Sequence, residues 1–132
     1  EDSPTNLAWG VDNRTVGLRV PRSSPPNRRI ENRVPGADAN PYLAIAATLA
    51  TVYLGLTHES KARREQTKSA EEVTTIPRNL DMALDKLDRE TALHEVLGKN
   101  FVRVFSEIKH AEGQAYLQVI SPWEREYLLL NV

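Results

Sequence analysis

Two short stretches of alternating apolar and polar residues, separated by a proline-rich loop, constrain the fold of this chain most. The first, 15–20, places valine or leucine at every second position, and the second, 29–34, contains Ile30 and Val34 among charged residues. Successive side chains of a strand point to opposite faces, so each stretch would have one mostly apolar face. The loop 21–27 holds three prolines, which cannot donate to a sheet ladder. We therefore predict two short strands that pair as an antiparallel hairpin.

The polar face of this hairpin is rich in arginine. Arg19 lies on the first strand, Arg29, Glu31 and Arg33 lie on the second, and Arg14 lies at the start of the first. Residues 13–33 contain six arginines, one glutamate and no lysine. Guanidinium groups offer planar forks of donors that suit a polyphosphate or a carboxylate. An ionised glutamate among them is a ligand that a hard cation accepts.

Other interpretations of the same pattern remain open. An ordinary half-solvated hairpin with cross-strand ion pairs also alternates charged and apolar residues. A non-catalytic module would use the arginines to bind an acidic partner and its helices to form an oligomer interface. The net charge of −1 argues against a nucleic-acid binder. The most apolar run is too short to span a membrane, and the absence of cysteine excludes disulfides and thiolate chemistry.

The remainder of the chain is predicted to be mostly helical. Asn40 followed by Pro41 is a typical helix start, and the alanine-rich helix after it is apolar around most of its surface. Such a helix is normally buried, so we expect it to be covered by parts absent from this sequence or by partner subunits. The polar stretch 58–73 is predicted to be a solvated connection.

Capping residues divide the helical C-terminal half. Asn79 is expected to cap a first helix and Asp88 a second short one, which Gly98 would end. A longer helix follows, which Gly113 could interrupt. Ser121 begins a capping-box sequence with proline at the first helical position.

Four spaced motifs of the hairpin and the helix start resemble a known family. In chain order they are Asn13-Arg14-Thr15, Arg19-Val20-Pro21, Arg29-Ile30-Glu31-Asn32-Arg33-Val34-Pro35 and Asn40-Pro41-Tyr42-Leu43. With the alanine-rich helix they cover about a third of the chain and resemble the glutamine synthetase superfamily. Within it, the sequence looks closest to the γ-glutamylpolyamine (γ-glutamylputrescine) synthetase branch, on the basis of Trp9-Gly10, Asp12-Asn13-Arg14-Thr15 and Pro35-Gly36-Ala37-Asp38.

The resemblance implies a cytoplasmic, ATP-dependent ligase that requires Mg²⁺ or Mn²⁺ and assembles into a homo-oligomeric ring. Such enzymes phosphorylate the γ-carboxylate of glutamate, and ammonia or an amine then displaces the phosphate. Position by position, the resemblance assigns Arg14 to the transferring phosphoryl group and Arg33 to the substrate carboxylate or the developing phosphate. It assigns Arg19 and Arg29 to the nucleotide phosphates and Glu31 to the divalent metal.

On this basis we predict an α+β fold that forms the C-terminal portion of a glutamine synthetase-like catalytic domain. Strands and active-site loops would occupy 1–36, a buried helix 40–57 and a helical region 78–131. The other metal ligands of the family would lie upstream of Glu1. We therefore expect this chain to be inactive by itself, with no role in binding nucleic acid or membranes.

Overall fold

The structure is a computed structural model that describes residues 4–62, 65 and 75–129. Much of the polar connection predicted at 58–73 therefore lies outside the described residues. The chain divides into two compact units, Glu1–Ile76 and Pro77–Val132. Each unit is described here by itself.

A small three-stranded sheet organises the first unit. Its strands are β1 (Trp9–Val11), β2 (Leu18–Val20) and β3 (Glu31–Asn32), in the spatial order β1-β2-β3. β2 and β3 are antiparallel, with Arg19 opposite Glu31, which confirms the predicted antiparallel pairing. The strands are shorter than predicted, so Arg29 and Arg33 lie just outside β3 and not on it. β1 runs parallel to β2, a pairing that the alternation pattern did not indicate.

A close backbone approach at Gly17 fixes the start of β2. A Cβ atom at this position would lie 2.5 Å from the carbonyl oxygen of Asn6, so only glycine fits. Asn6 also donates from Nδ2 to the carbonyl oxygen of Thr15 at 3.0 Å. On the other side, the backbone N–H of Arg33 donates to the carbonyl oxygen of Gly17 at 2.8 Å. Val16, between these contacts, is fully buried.

Helix α1 (Pro41–Thr57) begins as its sequence predicts. Asn40 Oδ1 accepts hydrogen bonds from the backbone N–H groups of Tyr42 and Leu43 at 3.0 and 3.3 Å. Within this chain, however, Ala50 is the buried residue of the helix, and Tyr42 is 84% exposed. The predicted burial would require a covering surface beyond the described residues, and it remains a prediction.

A side-chain hydrogen bond ties α1 to the sheet. Asn32 on β3 donates from Nδ2 to Thr48 Oγ1 at 3.0 Å, and its Oδ1 accepts the backbone N–H of Val34 at 3.1 Å. The amide of one strand residue therefore fixes both the helix and the turn after β3. This places α1 beside the strand that carries Glu31.

The second unit is helical, which agrees with the predicted C-terminal half. Its described helices are α2 (Leu80–Arg89), α3 (Thr91–Leu97), α4 (Lys99–Leu117) and α5 (Pro122–Tyr127). Leu84 of α2 and Val102 of α4 are buried. α4 continues through Gly113, where a Cβ would lie 3.3 Å from Leu80 Cδ2, so glycine permits close packing of α2. In the described part of the chain, no helix is both long and apolar enough to cross a bilayer.

The caps of these helices follow the sequence with one exception. Asn79 Oδ1 accepts a backbone N–H of α2 at 2.9 Å, and Ser121 forms a reciprocal capping box with Glu124. The prediction that Asp88 caps the next helix is wrong. Its Oδ1 instead accepts from Ser106 Oγ at 2.9 Å, and Ser106 is only 5% exposed. Asp88 lies inside α2, and Glu90 occupies the N-cap position of α3. The Asp88 carboxylate instead provides the partner that the buried Ser106 hydroxyl needs.

The junction of α3 and α4 depends on the backbone conformation of Gly98. Its φ of 93° disfavours any residue with a side chain. Gly98→Ala should lower the free energy of unfolding of the second unit by about 1 kcal/mol or more, measured by urea unfolding followed by circular dichroism.

The matched control for this prediction is Gly55→Ala. Gly55 lies inside α1, and a Cβ there would meet no atom within 4 Å. Alanine should therefore stabilise the helix by up to about 1 kcal/mol. A similar loss of stability in both variants would contradict the assignment of the Gly98 effect to its positive φ.

Candidate functional site

The β2–β3 pairing brings two of the predicted arginines onto one carboxylate. Arg19 donates from Nη1 to Glu31 Oε2 at 2.9 Å. Arg29 donates from Nε to Glu31 Oε1 at 3.2 Å, and its Nη2 lies 3.1 Å from the same oxygen. Both carboxylate oxygens of Glu31 therefore accept from a guanidinium.

The other two predicted arginines meet at the start of β2. Arg33 donates from Nη1 to the backbone carbonyl oxygen of Arg14. Arg14 itself is exposed to solvent. The structure therefore groups the five predicted residues as two neighbouring sets, one around Glu31 and one that joins Arg14 to Arg33.

The surroundings of Glu31 keep its carboxyl group ionised. The hydrogen bond from Arg19 contributes most to lowering the pKa of Glu31, and the charge of Arg19 and the contacts with Arg29 act in the same direction. Partial burial opposes them without reversing the effect. Glu31 is therefore anionic at neutral pH, which is the state required of a cation ligand.

Asp12 also belongs to the cluster, although the sequence pattern indicated it only as part of a family motif and not as a site residue. Its Oδ1 accepts from Arg19 Nη2 at 3.2 Å and from the backbone N–H of Arg22 at 3.1 Å. Its own N–H donates to the carbonyl oxygen of Val20 at 3.1 Å. Asp12 follows β1 directly, so only the parallel pairing of β1 with β2 brings it beside Arg19. The alternation of apolar and polar residues within one strand does not indicate which other strand it pairs with, so it could not predict the β1–β2 pairing.

Arg19 retains donor capacity beyond its two carboxylate partners. Its side chain is 19% exposed. Its Nε atom is buried and has no hydrogen-bond partner among the described residues. Buried donors normally have an acceptor. Nη1 and Nη2 of Arg19 each carry a second N–H, and these donors suit a ligand with several anionic oxygens, such as a polyphosphate.

A cavity of about 450 Å³ borders the cluster. Its wall includes Arg22, Arg28 and Arg29 together with Ser23 and Ile30. This volume lies in the range of small-molecule sites, about 300–1,000 Å³. Three guanidinium-bearing residues make the cavity suitable for an anion.

Glu31 is suited to be one ligand of a metal ion, but the described residues do not provide a complete set of ligands. In residues 4–62, 65 and 75–129, no group of three or more His, Cys, Asp or Glu side chains is placed to hold a metal. Mg²⁺ is commonly bound through one or two carboxylates together with substrate phosphates and water. The donor chemistry of Glu31 beside an anion-binding cluster fits that mode, with further ligands supplied from elsewhere.

The titration of Glu31 tests this electrostatic arrangement. By ¹³C NMR, the pKa of the Glu31 carboxyl should lie below the ordinary glutamate value, and Arg19→Gln should raise it. The pKa of Glu124 is also lowered, chiefly by the backbone N–H of Ser121. Glu124 is therefore an internal control that Arg19→Gln should not change. An unaltered Glu31 midpoint in the variant would contradict the account.

The same pKa has a consequence for acid stability. Because the pKa of Glu31 is lower in the folded state, its contribution to stability is present above the unfolded-state pKa and is lost as the pH falls through the folded-state pKa. Arg19→Gln should make stability less dependent on pH in this acidic window.

Comparison with protein families matches residues 1–128 to the family described as glutamine synthetase, catalytic domain. A glutamine synthetase from Methanococcus maripaludis is 35% identical over 138 residues, which cover 96% of this chain and 31% of the relative. The γ-glutamylputrescine synthetase PuuA of Escherichia coli is 37% identical over 131 residues, covering 97% of this chain and 28% of the relative. A glutamate–isopropylamine ligase from a Pseudomonas species is 35% identical over 124 residues, covering 90% of this chain and 27% of the relative.

A solved structure agrees with these matches. Apo GmaS without ligand superposes with a TM-score of 0.81 at 30% sequence identity and covers 96% of this chain and 30% of that chain. The chain thus spans about 30% of the length of the curated relatives it matches. The resemblance found in the motifs is confirmed by the family match, by the relatives and by the fold. This chain belongs to the family of glutamine synthetase catalytic domains.

Proposed function

We propose that this chain supplies the C-terminal part of the active site of an ATP-dependent ligase that joins glutamate to ammonia or an amine. The observation that carries the proposal is the Arg19–Glu31–Arg29 cluster on the β2–β3 hairpin of a chain in this family. Relatives named as a glutamine synthetase, a γ-glutamylputrescine synthetase and a glutamate–isopropylamine ligase differ in the amine. We therefore leave the acceptor open between ammonia and an amine.

The reaction accumulates negative charge that the arginines would offset. The γ-carboxylate of glutamate attacks the terminal phosphorus of ATP, and ADP leaves, which yields γ-glutamyl phosphate. The amine nitrogen then attacks the acyl carbon and loses one proton, the bond between the acyl carbon and the phosphate oxygen breaks, and inorganic phosphate departs, which leaves the C–N bond of the amide. Both steps place charge on phosphoryl and acyl oxygens, where fixed cations stabilise the transition state most.

Each residue has a role that agrees with its position. Arg19 and Arg29 would bind the nucleotide phosphates, Arg14 the transferring phosphoryl group, and Arg33 the substrate carboxylate or the developing phosphate. Glu31 would hold one Mg²⁺ or Mn²⁺ ion, which when bound neutralises phosphate charge. The contact between Arg33 and the Arg14 carbonyl supports a shared site for substrate carboxylate and phosphoryl group.

The short span of the chain relative to its relatives fits a partial site. Residues 1–36 would form active-site strands and loops, 40–57 a helix covered in the complete protein, and 78–131 a helical region. The remaining metal ligands would come from outside these residues, and ring assembly would bring neighbouring subunits to the site.

The chain alone should therefore lack ligase activity. We expect no γ-glutamyl hydroxamate when it is incubated with ATP, glutamate, hydroxylamine and Mg²⁺ or Mn²⁺. The measurement is the colorimetric hydroxamate assay, with E. coli γ-glutamylputrescine synthetase as the positive control. Detectable product from the 132 residues would contradict the partial-site proposal.

A chimaera tests the roles of the residues. We would place this chain in E. coli γ-glutamylputrescine synthetase in exchange for the segment that it matches, and measure ATP- and glutamate-dependent phosphate release with ammonia, methylamine and putrescine. Glu31→Gln should lower the rate by at least about 100-fold because a metal ligand is lost. Glu107→Gln, which alters a surface ion pair on α4, is the control and should leave the rate unchanged.

The same substitution separates the ligase from a non-catalytic anion-binding module. The cavity lined by Arg22, Arg28 and Arg29 is the observation that favours this second candidate. A simple anion site would bind phosphate more tightly after Glu31→Gln, because a negative charge is removed. Tighter phosphate binding together with unchanged phosphate release would favour the module over the ligase.

A further inference from the structure

Arg19 donates hydrogen bonds to two carboxylates, each from a different nitrogen atom. Its Nη1 donates to Glu31 Oε2 at 2.9 Å, and its Nη2 donates to Asp12 Oδ1 at 3.2 Å. The guanidinium has separate donors for each partner, so the two contacts do not compete for one hydrogen. Glu31 has a proposed role in binding metal, whereas the proposed function assigns no role to Asp12.

The backbone of Asp12 is itself held in an unusual conformation. Its φ is 51°, in the left-handed region that aspartate tolerates better than most residues. Its N–H donates to Val20 on β2, Oδ1 accepts the N–H of Arg22, and Oδ2 lies 3.5 Å from Arg22 Nε. A strained residue persists where its surroundings fix it, and such residues cluster at functional sites. Asp12 thus connects the end of β1, the end of β2 and the wall of the arginine-lined cavity.

We propose that Asp12 is a positioning residue that keeps Arg19 in place when Glu31 binds a cation. The proposal rests on the function above, in which Glu31 is a metal ligand and Arg19 binds nucleotide phosphate. A divalent cation on Glu31 offsets the charge that attracts Arg19 and weakens that contact. The bond to Asp12 uses the other nitrogen and is retained, so Arg19 stays on β2 beside the cavity.

Positioning and simple electrostatics predict opposite signs for Asp12→Asn. Removal of one negative charge near a bound polyphosphate should tighten binding if charge alone matters. The asparagine Oδ1 can still accept from the Arg22 N–H and from Arg19 Nη2, but the bond to Arg19 changes from a charge-assisted hydrogen bond to a weaker one with a neutral acceptor. If Asp12 positions Arg19, binding should weaken although the site has become more positive.

The first measurement is isothermal titration of the chimaera, in which the rest of the site is present, with ADP and Mg²⁺. Asp12→Asn should raise the Kd by roughly fivefold, the loss expected when a charge-assisted hydrogen bond becomes one with a neutral acceptor. Asp85→Asn on α2 makes the same change in net charge outside the site and should leave the Kd unchanged. An unchanged or lower Kd for Asp12→Asn would overturn the proposal.

The second measurement needs no ligand and follows the guanidinium ¹⁵N signals of Arg19 by NMR. Rotation of the guanidinium should stay restricted in Glu31→Gln, because Asp12 still holds it, and should become fast in the Asp12→Asn/Glu31→Gln double variant. If Glu31→Gln alone releases Arg19 as fully as the double variant, Asp12 does not hold it and the inference is wrong. Failure of the chimaera with an unsubstituted segment to bind ADP would contradict the proposed function alone, since the NMR result tests Asp12 independently.

Discussion

The site depends on one cross-strand ion pair, Arg19 with Glu31, formed at opposed positions of β2 and β3. The pair exists because the alternation of each strand places both side chains on the same face of the sheet. An exposed ion pair contributes little to stability. Here the pair has more value as geometry, because it orients a guanidinium and holds a carboxylate ionised at one edge of an arginine-lined cavity. Arg29 completes the arrangement from the segment that directly precedes β3.

Local features of this fold could be predicted from the sequence, and features that depend on distant partners could not. The caps at Asn40, Asn79 and Ser121 use side chains within three residues of the groups they bind, so the local pattern contains the whole interaction. Asp88 has the same capping chemistry, but α2 continues past it to Arg89, and its carboxylate accepts from the buried Ser106 hydroxyl 18 residues along the chain. The local pattern gave Asp12 no role in the site, because Asp12 contacts Arg19 only through the parallel β1–β2 pairing.

The site residues show a similar division. Alternation alone indicated that Arg19, Arg29 and Glu31 share a face, and the structure brings these side chains into contact. The roles of Arg14 and Arg33 came from the resemblance, and their contact is through a backbone carbonyl that no side-chain pattern encodes. The sequence also contains an apolar helix, α1, whose exposed face has no covering layer among the described residues.

The central claim is that Glu31 ligates a divalent cation next to a bound nucleotide. Paramagnetic broadening by Mn²⁺ tests it most directly, because the effect on a ¹³C carboxyl signal falls steeply with distance from the ion. In the presence of ADP, sub-stoichiometric Mn²⁺ should broaden the Glu31 carboxyl resonance selectively and leave that of Glu124 sharp. Equal broadening of both signals, or a sharp Glu31 signal at a Mn²⁺ concentration that broadens other carboxylates, would contradict the account.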